Sequence, residues 1–370
     1  MNSIQKYLLH LLKCAVHNKK ADNIPDNISL AGLFAYAKEE QVENLVYIAL
    51  PATEREPEIM RKFSQCYEKA IVRESKQELE LSMISDALTS AGIKHVPLKG
   101  SVVKYLYPSP DLRQSGDIDI LTETSDGIDE IMNNLGFTAS DINTEKHNSY
   151  SRGKLHIEIH SALTDAPSSF CDKVWDNVRQ VNGERYEMTP EFLYVYLLVH
   201  LHTHLLCGGA GIKLILDLYV FNCKEYADRD SINKFAEEAV TVNLKRYAEA
   251  LISSWFNEIP YKDENVRILE KMILDSPVYG SFDNYIKMHY TSPSKADNII
   301  KMIFLPYNRM VKGYPVLKKI PVLLPVMWVF RIIRRLFARD NHIQIITDTL
   351  SSASSEDIEK YITFRDNISK

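Results

Sequence analysis

Two acids one residue apart, set in an otherwise apolar run, constrain this chain most. The run reads Asp117-Ile-Asp119-Ile-Leu121. In a strand, side chains i and i+2 point the same way, so Asp117 and Asp119 share one face while Ile118 and Ile120 turn to the other, into sheet packing. A second segment alternates strictly. Leu155, Ile157 and Ile159 form its apolar face, and His156, Glu158 and His160 its polar one. Such strands belong in a sheet with one face packed and acids gathered on the other. Close carboxylates repel unless something positive lies between them, and a divalent cation such as Mg²⁺ or Mn²⁺ takes oxygen ligands of this kind. The expected metal set is therefore Asp117, Asp119 and Glu158.

Upstream, Gly100-Ser101 falls where a first apolar run, Ile93–Leu98, gives way to a helical stretch. A turn at that place presents free N–H groups and a helix N-terminus, which favour a phosphate. Lys99 and Arg113 stand close by in sequence and are candidates to meet phosphate, and His160, on the face of Glu158, is a candidate to meet ribose. Each element alone also has an ordinary reading: a solvated strand end, a common turn, surface decoration. The order Gly-Ser, about sixteen residues, Asp-x-Asp, then an alternating strand carrying Glu is the specific signal. Three carboxylates around metal suit in-line phosphoryl or nucleotidyl transfer.

The surroundings change texture on both sides. Ile4–Val16, Ser29–Glu40 and Glu43–Leu50 space apolar residues by three and four, and Glu58 to about Ala91 lacks Gly and Pro, with Gly92 as its stop. From Thr189, with Pro190 and Glu191 as a start signal, helices return: Pro190–Leu206, Ile212–Cys223, Ser231–Val240 and Leu244–Phe256. The fold class expected is α+β, a small mixed-sheet core flanked by helical regions. The expected divisions are 1–91 helical, 92–188 the α/β core and 189–370 helical.

Composition narrows the partners. A net charge of −5 gives no overall attraction to nucleic acid. Five cysteines without a CxxC pair suit a reducing compartment. With no apolar run of about 18 residues, no transmembrane span is expected, and the location expected is cytoplasmic.

Further candidates carry less. Lys213 and Asp217, four apart on a helix, read either as a mutual pair or as a lysine reaching a triphosphate. His200, His202 and His204 suggest zinc, but no Glu or distant Cys/His set completes such a site, so a packed or substrate-contacting helix is the better reading. Gly208-Gly-Ala-Gly211 lacks the Lys-Ser/Thr of a P-loop and reads as a turn. Between Asn298 and Arg339 there is no acid, while nine residues are basic: Lys301, Arg309, Lys312, Lys318, Lys319, Arg331, Arg334, Arg335 and Arg339. That segment reads first as a core helix with a solvated basic edge, and second as a contact for an anionic partner or a membrane surface.

In these motifs the chain resembles the polymerase-β-like nucleotidyltransferase superfamily, and within it the bacterial group described as uncharacterised nucleotidyltransferases. The segments that carry the likeness are Pro97-Leu-Lys-Gly-Ser101, Arg113 four residues before Asp117-Ile-Asp-Ile-Leu121, and Ile157-Glu-Ile-His160. The resemblance implies that Gly100 and Ser101 hold the phosphates of an NTP, ATP first among them. It also implies that Asp117, Asp119 and Glu158 hold metal, and that a nucleotidyl group passes to an acceptor with release of pyrophosphate. Glu158 departs from the Asp common in relatives. The acceptor stays open among small molecules, proteins and RNA ends. A silent nucleotide- or partner-binding module and a metal-dependent phosphohydrolase are the alternatives.

Overall fold

The computed structural model describes residues 1–140, 147–224, 227–277, 280–337, 348–349 and 352–370. The chain opens with helices α1 (Ser3–Val16), α2 (Leu30–Glu39), α3 (Glu43–Ala49) and α4 (Pro57–Ser90). All four match the expected apolar spacing. The 34-residue α4 is long because its sequence has no interior breaker, and Gly92 follows its end at φ +71°, a conformation glycine adopts without cost.

A seven-stranded sheet comes next, in the order β3-β4-β5-β2-β1-β7-β6. Its strands are β1 (His95–Pro97), β2 (Ile118–Thr122), β3 (Thr138–Ala139), β4 (His147–Arg152), β5 (Leu155–His160), β6 (Val178–Asn182) and β7 (Arg185–Met188). Helices α5 (Gly100–Val103), α6 (Ile128–Asn134) and α7 (Ser168–Cys171) interrupt them. β1, β2 and β5 are the strands read from the sequence. They lie side by side, β1 antiparallel to β2 and β2 parallel to β5. The hairpins β3–β4 and β6–β7 were not anticipated, because His147–Arg152 has a single core residue, Tyr150, among polar ones and β6 is largely exposed, so neither shows an apolar alternation.

The sheet packs on both faces. Ile118, Ile120, Ile157 and Ile159 join Leu81, Ile84 and Leu88 of α4 and Ile128 and Met132 of α6 in one buried cluster. On the other face, Val96, Leu98 and Leu121 enter a larger cluster that also takes in Leu8, Phe63, Phe192, Leu216, Phe256 and Phe364. That second core joins both helical regions to the sheet.

The chain then continues as α8 (Pro190–Leu206), α9 (Ile212–Asn222), α10 (Arg229–Glu238), α11 (Val242–Asn257) and α12 (Glu264–Leu274). After these come α13 (Phe282–Met288), α14 (Lys295–Ile303), α15 (Tyr307–Gly313), α16 (Val316–Lys319), α17 (Leu324–Phe337) and α18 (Ser355–Ile368). α8 starts at Pro190 as expected, but the Thr189 side chain makes no capping bond; its N–H donates to Asn177 O instead. α10 starts earlier than expected because Asp228 caps it, accepting from Ser231 N–H. The Gly208–Gly211 segment is the turn between α8 and α9, with Gly208 and Gly209 both at positive φ. No helix among the described residues is long and apolar enough to cross a membrane.

Candidate active site

The parallel pairing of β2 with β5 sets Asp119 beside Glu158 and Leu121 beside His160. Asp119, Glu158 and His160 therefore stand on one sheet face, the face turned toward α8, with Asp117 in the bend that leads into β2. Side-chain contacts draw three of them tighter. His160 Nε2 donates to Asp119 Oδ1 at 3.1 Å and lies 3.6 Å from Glu158 Oε2. Asp119, Glu158 and His160 offer ligand atoms within 4.8 Å of one another, which suits a divalent cation of mixed oxygen and imidazole preference. Asp117 sits at the exposed end of the same row.

Charge is concentrated here. Burial and the neighbouring Asp119 and Glu158 carboxylates push the Asp117 carboxyl above its usual range. For Asp119 burial acts the same way, but the hydrogen bond from His160 and the Lys99 ammonium outweigh it and hold the carboxyl well below that range. Burial favours the neutral His160 ring, yet its bonds to Asp119 and Glu158 raise its basicity overall. An ion-paired Asp119 beside a strained Asp117 is what an added cation would relieve.

Lys99 is closest to the acids: its Nζ donates to Asp119 Oδ1 at 2.7 Å. Its backbone lies at φ +49°, ψ −124°, which a non-glycine residue adopts at a cost of about 1–3 kcal/mol. Gly100 follows because nothing larger fits: a Cβ there would meet Ser115 Oγ at 2.5 Å and Arg113 Nη1 at 3.4 Å. Gly100 and Ser101 open α5 just after β1, where the strand gives way to a helix as expected. Not all its N–H groups are free, however: Ser101 N–H donates to Leu98 O, and those of Val102 and Val103 donate to Lys99 O.

Arg113 and Lys213 stand further back. Arg113 makes a buried two-point pair with Asp217 on α9, through Nε to Oδ1 (2.9 Å) and Nη2 to Oδ2 (2.7 Å), and Tyr107 OH donates to the same carboxylate. Asp217 is thus paired with Arg113, not with Lys213. The Lys213 ammonium reaches Gln41 Oε1 at 2.8 Å and Gln114 O at 3.4 Å, and burial together with Arg113 lowers it to about 7.

A cavity of about 140 Å³ opens beside Lys99, Glu158 and His160, closed by Leu163, Asp165, Phe170 and, from α8, Tyr196 and Val199. The sequence pointed to neither Asp165, in a loop with no pattern, nor Tyr196, on a helix that is apolar all round. His200 and His204 of α8 have rings 4.4 Å apart, and burial lowers both. Lys99 and Asp119 act on both rings, which places α8 against the acidic face. Among the described residues neither belongs to a group of three or more metal-capable side chains.

The model of the uncharacterised nucleotidyltransferase family matches residues 26–257, well over half of the chain, and the chain belongs to that family. No curated protein and no solved structure matches it.

Proposed function

We propose that the chain transfers a nucleotidyl group from an NTP, with ATP as the first donor, to a hydroxyl, amine or phosphate acceptor. The observation that carries this reading is the register of β2 and β5, which sets Asp119 beside Glu158 in line with Asp117 and opposite the Lys99 ammonium. Asp117, Asp119 and Glu158 would hold Mg²⁺ or Mn²⁺, which supplies charge neutralisation of the triphosphate and activation of the acceptor.

The chain's own groups supply the rest. Lys99, already charged and poised over Asp119, meets the triphosphate, with Gly100 and Ser101 shaping the turn beneath it. His160 keeps Asp119 ionised and oriented and contacts the ribose. Arg113, locked by Asp217, holds the Gly100 turn in place, and Lys213 packs behind it against Gln41 and the Gln114 carbonyl. The acceptor atom attacks the α-phosphorus, the bond to the bridging oxygen breaks, pyrophosphate leaves with the electron pair, and the proton of a hydroxyl or amine acceptor passes to solvent.

The Lys99–Asp119 pair also favours a second reading, because it neutralises Asp119 without metal. A module that binds a nucleotide without turning it over has that property. Incubation of purified protein with each α-labelled NTP, Mg²⁺ or Mn²⁺ and a cell extract separates the two. Label carried onto an extract component, and absent with Asp117→Ala/Asp119→Ala, supports transfer. Nucleotide release without labelled product supports hydrolysis, and tight binding without turnover for any base supports the silent module.

A further inference from the structure

The α14–α17 segment lies outside the span matched by the family and outside the site. In a chain of net charge −5, it holds nine cations and no carboxylate between residues 298 and 339. Arg339 falls outside the described residues. Expected as a core helix with a basic edge, α17 has the opposite polarity. Its inward side is fixed by polar groups: Trp328 Nε1 donates to Leu305 O and Arg331 Nη1 to Ile303 O, both at 2.8 Å, and Phe304 meets the Trp328 ring edge-on. Its outward side is apolar. Val322, in the turn just before it, is 80% exposed, and along the helix Val326, Val329, Phe330 and Ile333 are 60%, 55%, 52% and 46% exposed. Their spacing of about four and then three to four puts them on one stripe. Exposed Lys318 and Lys319 precede the stripe, and exposed Arg334 follows it.

Behind α17 lies a cavity of about 800 Å³ whose walls include Lys301, Arg309, Arg331 and Arg365. Among the described residues, neither Lys301 nor Arg309 has a carboxylate partner. The segment therefore carries an excess of positive charge and, in front of it, a stripe of largely exposed apolar side chains, of which Phe330 meets the Tyr314 ring edge-on. Scattered exposed apolar residues are ordinary; a contiguous stripe with cations at both ends is not.

We propose that α17 is the face by which this protein docks on an anionic lipid surface. Val322, Val326, Val329, Phe330 and Ile333 enter the acyl boundary, and Lys318, Lys319 and Arg334 meet the headgroups. A lipid surface fits better than a rigid polyanion such as RNA, because the part that projects furthest is aliphatic while the cations flank it. The helix is too short to cross the bilayer, so the contact is peripheral.

Co-sedimentation of the full chain with vesicles tests this. Vesicles of phosphatidylcholine with about 30% phosphatidylglycerol should pellet the protein, those of phosphatidylcholine alone should not, and salt should weaken binding. Lys318→Glu/Lys319→Glu should weaken it about fivefold or more for each charge removed. Val326→Asp/Phe330→Asp should lose at least tenfold. Both side chains are more than half exposed, although Phe330 also meets the Tyr314 ring edge-on, so far-UV circular dichroism should stay as in the parent. Three outcomes overturn the proposal: no pelleting with anionic vesicles at low salt, binding indifferent to Val326→Asp/Phe330→Asp, or tighter retention by single-stranded RNA than by vesicles. Sedimentation velocity supplies a fourth. If the parent is a dimer that Val326→Asp/Phe330→Asp dissociates, and no vesicles are bound, the stripe belongs to a second copy.

Discussion

The acidic face of the sheet and the outer face of α17 break the same rule in opposite directions. At the sheet, charge goes inside: Asp119 is buried, with Lys99, His160 and Glu158 packed round it. At α17, apolar side chains go outside and an arginine and a tryptophan turn in. Ordinary packing explains neither, since buried charge costs free energy unless paired, and exposed aliphatic stripes invite association. Where local preference and fold disagree this openly, the residues serve something other than stability. The comparison also sorts mutations. Changes at the sheet face should act on chemistry or folding, and changes at the α17 stripe on neither.

The largest effect expected is on turnover. Asp119→Asn keeps the size of the side chain and removes the charge that Lys99 and His160 address. If transfer passes through this carboxylate, label transfer should fall by at least about 10³-fold, which is several kcal/mol of transition-state stabilisation. A loss of less than about tenfold would detach Asp119 from the chemistry and leave the sheet face as a binding surface only.

Next comes the Arg113–Asp217 pair, whose side chains are 8% and 1% exposed. Arg113→Met strands a buried carboxylate with only Tyr107 OH as donor, so unfolding free energy from urea titration should drop by about 3–5 kcal/mol. The exposed Lys94–Glu123 pair is the control, since Lys94→Ala should cost no more than about 0.5 kcal/mol. Equal effects at the two pairs would mean that burial does not govern the electrostatics here.

Metal should stabilise the sheet face. Mg²⁺ or Mn²⁺ at a hundredfold excess over its dissociation constant adds about 2.7 kcal/mol to a site absent from the unfolded chain. The expected readout is a melting temperature a few degrees higher in the parent and unchanged in Asp119→Asn. No shift in the parent would favour the silent module, with Lys99 permanently in the place of a cation.

How much of this contrast could be read in advance depends on pattern. The acids were legible because β2 and β5 alternate, and alternation fixes which side chains share a face before the sheet order is known. The order itself was not legible, since β4 and β6 are polar or exposed and carry no period. Lys99 stood out by its place beside Gly100, but its positive φ is invisible in sequence. Asp165 and Tyr196 reach the cavity only through the path of a loop and the docking of α8. α17 was legible as amphipathic and misjudged in direction: periodicity shows that one face is apolar, never which way it turns. Trp328 and Arg331 set that direction through bonds to carbonyls about 25 residues away.

A smaller effect concerns Glu40, which lies between the N-terminal helices and α9. Burial pushes its carboxyl up to about 8, although Ile212 N–H donates to Oε2 at 2.9 Å; Oε1 has no partner. The native state thus holds a proton that the unfolded state releases near its ordinary value of 4.5. The resulting stability is fully present below about 4.5 and is lost as pH rises through about 8. Glu40→Gln keeps an acceptor for Ile212 and removes the titration, so its unfolding free energy should gain on the parent's as pH rises across that window. Parallel curves would show that the carboxyl is not the source.

The smallest effect sharpens the contrast most. Ile120 is fully buried, and Ile120→Ala should cost about 2–5 kcal/mol from lost contacts and a residual cavity. Val326 is 60% exposed, and an aspartate there meets water on one side and the cations of α14–α17 on the other. Val326→Asp should therefore leave unfolding free energy within about 0.5 kcal/mol of the parent. Denaturant titration of the two variants side by side makes the test. A loss of 2 kcal/mol or so at Val326 would mean that the stripe is covered in solution, which returns α17 to the rule that the sheet face breaks from the other side.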